Sequence, residues 1–392
     1  RSGAPPLPTQ NAPADRPTGA AAAGMITALG SVLAGLLAVI SLYFRVKEVS
    51  YKIPLRSDQL KDWKAQPLHR YKYPHIGYKP ELMPPHDPKR MWHNRSPFIA
   101  RDGRTVLQEY VSLPKPGPDG VRVPPKGLCI VFAGLGDSQD RNALIADALS
   151  KGGFAAHGCD YKGWGRSQKD SGTGSDAVPL LCTNWDDIVE DMMHFINNVK
   201  GRYSPNLPCF VVGQSLGGAT ALRCALEGPE LLKGAVLLCP AILSDANKLL
   251  QSISGVVGAL FPRLALPVGV FEDDVGCRNL VDAERVRDDP YKTNNYLLAA
   301  TGAAIVRCLR HVHAHLGEMR VPFLVIHGEK DLLVNPEGSR LLMEKAPVQD
   351  KTAWFLQEAW HALLQEPEYQ QVCDRVVGWI DERVPPPPPP PP

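Results

Sequence analysis

The chain lacks a strong charge of either sign. Lysine and arginine total 43 against 41 acidic residues, a formal net charge of +2 over 392 residues. Chains built to hold nucleic acid carry a clear basic excess, so the balance points to no nucleic-acid partner. There is no Cys-x-x-Cys pair and no His/Cys spacing of a zinc site, so neither a metal nor an organic cofactor is implied. The nine cysteines are scattered, with Cys129 and Cys209 in apolar runs and Cys224 in a helix-like stretch. That usage reads as buried thiols in a reducing compartment. No internal repeat is evident. The glycine-tight turn at Gly163-Trp164-Gly165 is not followed by the Lys-Ser/Thr pair of a phosphate loop, and reads as structural support.

What the chain does carry is Gly213-Gln214-Ser215-Leu216-Gly217, set between the apolar run Cys209-Phe210-Val211-Val212 and a helix-like stretch beginning near Ala219. A serine at a sharp strand-to-helix turn occupies a strained backbone that only small neighbours tolerate, with its hydroxyl lifted above the sheet edge. The Leu216 N–H then lies at a helix start, where it can stabilise an oxyanion. A serine needs a base, and the base needs an orienting carboxylate. Both follow in the order Ser, Asp, His. The run Val321 to Ile326 predicts a buried strand that leads through His327-Gly328-Glu329-Lys330 to Asp331. The run from Trp354 predicts the next strand, with His361 just past its end. Carboxyl ends of parallel strands are where open α/β sheets build sites. A second oxyanion donor is expected from Leu135, after the strand Leu128 to Phe132 and the turn Gly134-Leu135-Gly136.

From about residue 104 to 384 the chain resembles the monoglyceride lipase and lysophospholipase group of α/β-hydrolases, including the plant monoacylglycerol lipase and caffeoylshikimate esterase-like branch. The resemblance rests on Ala133-Gly134-Leu135-Gly136, Asp160-Tyr161-Lys162-Gly163-Trp164-Gly165-Arg166-Ser167, Gly213-Gln214-Ser215-Leu216-Gly217-Gly218, Val325-Ile326-His327-Gly328-Glu329-Lys330-Asp331 and Trp360-His361-Ala362-Leu363. It implies an α/β-hydrolase fold, a mostly parallel central sheet flanked by helices, with a cap insertion. It also implies Ser215 as nucleophile, Asp331 as acid, His361 as base, and Leu135 and Leu216 as oxyanion-hole donors. Two departures stand out. Ala133 replaces the histidine usual before the first oxyanion residue, and Trp164 stands where many members carry histidine.

Five regions are expected. Residues 1–18 form an Ala/Pro-rich disordered segment. Residues 19–44 carry no charge and are long enough for a single transmembrane helix. Residues 45–103 form a basic juxtamembrane linker, which by the positive-inside rule puts the hydrolase domain on the cytoplasmic or equivalent organellar side. Residues 104–384 form the hydrolase domain, with a cap at about 241–315. Residues 385–392 are a polyproline tail suited to a proline-recognising domain. The chain starts at Arg1, as a fragment or processed product does. The cap's apolar middle, Ile253 to Phe271, either packs on the core or lines an acyl channel. The functional expectation is a membrane-anchored serine hydrolase of lipid esters, monoacylglycerol or lysophospholipid. The alternatives are an acyltransferase on the same triad and a catalytically weak subunit of a membrane protein complex.

Overall fold

The structure is a computed structural model and describes residues 92–169, 171–243, 248–266, 276–278 and 297–385. The chain separates into Arg1–Leu68 and His69–Pro392, and every described residue lies in the second unit. The expected disordered segment, the expected transmembrane helix at 19–44 and most of the proline tail lie outside the described residues. Among the described residues, no helix is long and apolar enough to cross a membrane.

Eight strands form one sheet. They are β1 (Asn94–Ile99), β2 (Val106–Ser112), β3 (Leu128–Phe132), β4 (Ala155–Cys159), β5 (Cys209–Gln214), β6 (Gly234–Leu238), β9 (Phe323–Gly328) and β10 (Lys351–Leu356). A two-stranded ribbon, β7 (Ala265–Leu266) with β8 (Leu297–Leu298), sits in the insertion between β6 and β9. The order across the main sheet is β1-β2-β4-β3-β5-β6-β9-β10. Pairing is parallel from β4 to β10, and β1 and β2 are antiparallel at one edge.

The sequence explains this order. LCIVF, GAVLL and FLVIHG are continuous buried runs, the pattern of central parallel strands covered on both faces. Side chains alternate between two cores. Leu128, Ile130 and Phe132 of β3 face one, and Cys129 and Val131 face the other. The first core is covered by α2 (Trp185–Gly201), α3 (Leu216–Glu227) and α5 (Ala299–His315), and the second by α1 (Ala143–Lys151) and α7 (Tyr369–Asp381). Two further helices are α4 (Lys248–Leu260), which packs on α5, and α6 (Glu337–Lys345). At the start of α2 the Asn184 side chain accepts from the Asp186 amide, and two acids occupy the first turn, which suits the partial positive charge of a helix N-terminus.

Three expectations change. The hydrolase domain does not begin at 104: Asn94–Ile99 is an edge strand of the sheet, and Trp92 is buried. Its polar sequence with Pro97 is tolerated because an edge strand leaves one side unpaired. The cap is shorter than 241–315, because Ala304, Cys308, Leu309 and Val312 of α5 belong to the core. In the apolar cap stretch Val257 is buried, but Val256, Leu260, Phe261 and Leu264 face outward, 43–62% exposed. All nine cysteines are buried thiols.

Candidate active site

From β3 the chain turns to β4 on one side and later to β5 on the other. The order in which strands are added therefore reverses between β3 and β5, which run parallel, and crevices at such switch points are where α/β sheets bind ligands. Ser215 stands there, between the end of β5 and the first residue of α3. Its backbone is at φ 56° and ψ −121°, a region costly for a residue with a side chain. The fold holds it by four bonds. The Ser215 amide donates to Leu238 O at 2.9 Å, and its carbonyl accepts from Ala241 at 2.9 Å, Gly218 at 2.9 Å and Ala219 at 3.2 Å. The glycines are required by close approach. A Cβ on Gly217 would lie 2.4 Å from Phe132 O, and one on Gly213 would lie 2.2 Å from Gly217 O.

The β3 loop lies against this serine. A Cβ on Gly134 would be 3.5 Å from the Ser215 Cβ. Among the described residues neither the Leu135 nor the Leu216 amide donates to a backbone carbonyl outside the helices and strands. Ala133, at the position of the usual histidine, is buried. The loop is steadied from the far side. The Gln139 side chain donates to Val131 O at 2.8 Å, and its amide donates to Asp160 Oδ1 at 2.7 Å. Asp160, fully enclosed, also accepts from the Arg166 amide at 2.7 Å and the Tyr110 hydroxyl at 2.8 Å. Burial pushes its carboxyl up to about 7 against these bonds. Trp164 is buried edge-to-face with Tyr161 and Trp185, centroids 6.2 and 5.9 Å away. The turn at 163–165 thus supports the rim, as its sequence suggested.

Asp331 lies three residues past β9 and His361 five past β10. Gly328 lets the two loops meet: a Cβ there would lie 2.2 Å from Trp360 O. The Lys330 amide donates to Ala359 O at 3.1 Å. His361 Nδ1–H donates to Asp331 Oδ2 at 2.7 Å. Asp331 Oδ1 accepts from the Leu333 and Val334 amides at 2.8 and 2.9 Å. His327 Nε2 lies 3.2 Å from Oδ2, and its Nδ1 lies 2.7 Å from Ser339 Oγ. Burial alone would raise the Asp331 pKa, but the charge and hydrogen bonds of His361 and His327 outweigh it and hold the carboxyl well below the usual range. The imidazole is thereby set with its proton on Nδ1, leaving Nε2 as an acceptor. Among the described residues no hydrogen bond joins the Ser215 hydroxyl to this ring.

Residues without an assigned role in the sequence complete the site. His327 braces Asp331 from inside a strand, where a buried histidine reads only as core. Cys239, just after β6, has its thiol beside Asp331 and His361; burial first, and the Asp331 charge next, push its pKa well up. Arg278 pairs with the fully buried Glu366 and with Glu368, while the Ala362 amide donates to Gly276 O at 2.8 Å. This clip ties the cap segment to the loop that carries His361. Cys239 and Arg278 have no short-range pattern that marks them.

A family profile described as "Serine aminopeptidase, S33" matches residues 123–368. The chain is 29% identical over 265 residues to the monoglyceride lipase of Rattus norvegicus, covering 66% of this chain and 84% of that protein. It is 24% identical over 302 residues to the caffeoylshikimate esterase of Arabidopsis thaliana, covering 74% and 86%. A soluble variant of the Saccharomyces cerevisiae monoglyceride lipase, solved with a substrate analogue, shares the fold at a TM-score of 0.62 and 18% identity, covering 75% of this chain and 96% of that one. With more than half of its length matched by one profile, the chain belongs to the serine aminopeptidase S33 family, as an α/β-hydrolase of the monoglyceride lipase family and a serine ester hydrolase.

Proposed function

We propose that the protein hydrolyses lipid esters with a single acyl chain, monoacylglycerol or lysophospholipid, by a Ser215–His361–Asp331 triad. The observation that carries this reading is the Asp331–His361 hydrogen bond on the same sheet rim as a serine held at positive φ. Ser215 Oγ attacks the acyl carbonyl while His361 Nε2 takes its proton. Asp331 keeps the ring in the required tautomer and stabilises the imidazolium. The Leu135 and Leu216 amides receive the oxyanion. His361 then protonates the leaving alcohol, and water repeats the cycle on the acyl-enzyme.

Lipid esters are favoured because the relatives include monoglyceride lipases and because Val256, Leu260, Phe261 and Leu264 of the cap are each exposed, which suits a lipid interface. Residues 19–44 tether the protein to a bilayer, with the hydrolase domain on the cytoplasmic or equivalent organellar side. The proline tail engages a proline-recognising domain. Specificity constants measured in one detergent test the substrate reading: monoacylglycerol and lysophospholipid should exceed both triacylglycerol and acetyl esters. Each buried methylene is worth about 0.8 kcal/mol, so a rate that fails to rise with acyl length would leave a generic esterase. Added glycerol tests for acyl transfer in place of hydrolysis. Deleting residues 1–44 should release active protein from membranes; persistent sedimentation after a high-salt wash would assign attachment elsewhere.

A further inference from the structure

Asp331 and His361 have a third neighbour that hydrolysis does not use. The Cys239 sulfur, an Asp331 carboxylate oxygen and a His361 ring nitrogen all lie within 4.8 Å of one another. They come from three strand ends, those of β6, β9 and β10, so the sheet itself brings them together. Cys239 is fully buried, and its backbone is held at φ 43° with its amide donating to Ile326 O at 2.8 Å. A thiol, an imidazole and a carboxylate form the donor set of a zinc-class cation.

We propose that Cys239, Asp331 and His361 form an inhibitory site for a zinc-class divalent cation. The inference rests on the reading of His361 as the catalytic base. Zinc lies about 2.0–2.3 Å from such ligands, which sets them nearly 4 Å apart or less, so the thiol and ring need to close by about 1 Å. The thiol proton leaves to solvent, because a coordinated thiol is deprotonated outright. His361 Nδ1 exchanges its hydrogen bond to Asp331 for the metal, and its proton passes through solvent to Nε2. The imidazole stays neutral, while thiolate and carboxylate balance the two metal charges. Nε2 is then a donor and cannot accept the Ser215 proton. Inhibition therefore follows from the tautomer, without any block of substrate entry. Magnesium and calcium, which prefer oxygen-only shells, do not act here.

The test uses the full chain. Zinc binding is measured on Ser215→Ala by competition with a chromophoric chelator, and zinc inhibition is measured on the unmodified protein with a soluble short ester. One tight site is expected. Cys239→Ala and Cys239→Ser should each weaken it by roughly 100-fold or more, and the inhibition midpoint, normalised to each variant's zinc-free rate, should shift in parallel. The stacked His311 and His315 rings, 4.1 Å apart on α5, are the rival site. Binding that survives both Cys239 variants, or is lost in His315→Ala, overturns the proposal. Cadmium on the unmodified chain supplies a reading independent of any variant. A thiolate-to-metal absorption band with loss of activity supports Cys239 as a ligand, and its absence refutes it. If Ser215→Ala keeps turnover, the triad reading fails while the chelator titration still reports the metal site.

Discussion

Replacing Asp331 by asparagine changes one atom, and the structure says which way the new amide must turn. Asp331 Oδ1 accepts two backbone amides, from Leu333 and Val334. Turning the –NH2 toward them would oppose donors on donors and leave two buried N–H groups unpaired, at about 1–3 kcal/mol each. The amide oxygen therefore stays there, and the –NH2 faces His361 Nδ1 across 2.7 Å. Nδ1 must become an acceptor, so the ring proton moves to Nε2 and the base is lost. Loss of the correct tautomer costs a serine triad about 10⁴ in kcat, or about 5 kcal/mol of transition-state stabilisation. KM should change little, because the substrate touches neither atom. Steady-state kinetics on a soluble ester, with a thermal melt to show that the variant folds, measure both. A folded Asp331→Asn protein within tenfold of the unmodified kcat would refute the reasoning and move the acid elsewhere.

Other expectations follow from the same contacts. Gly217→Ala drives a Cβ into Phe132 O and should cost about 3 kcal/mol or more, read by denaturant unfolding. Arg278→Gln leaves Glu366 buried without its partner and should cost about 3–5 kcal/mol, with kcat falling more than KM rises because the His361 loop loosens. Asp160 titrates near 7 in the folded protein against 3.8 when exposed. The unfolded chain therefore ionises it first, and stability falls as pH rises from about 4 to about 7. Asp160→Asn should be less stable at acid pH, and the stability lost between pH 5 and 8 should shrink; an unchanged loss over that range would show that Asp160 does not titrate there.

The parts of this structure that a reader of the sequence can see are those with local causes. The runs at Leu128, Cys209, Gly234 and Phe323 are apolar without interruption because both faces of the central sheet are covered, and each became a strand. The placing of Ser215 was legible because two glycines flank it for steric reasons. Asp331 and His361 were legible as residues beyond strand ends, although β10 starts at Lys351 and closes five residues before His361. What escaped has long-range causes. The polar edge strand Asn94–Ile99 exists only through its pairing with β2. The alanine-rich α5 reads like part of an insertion until its contacts with α2 and α3 are known. Cys239 and Arg278 act through partners 88 to 122 residues away, where no spacing rule reaches, and His327, although four residues from Asp331, reads in the sequence as one more residue of a buried strand.

Covalent labelling tests the role of Ser215 as nucleophile most directly. A fluorophosphonate probe should modify the unmodified protein at Ser215 and leave Ser215→Ala unlabelled, with residual turnover in that variant reduced by several orders of magnitude. Labelling that persists in folded Ser215→Ala, at another serine and with turnover retained, would contradict the account.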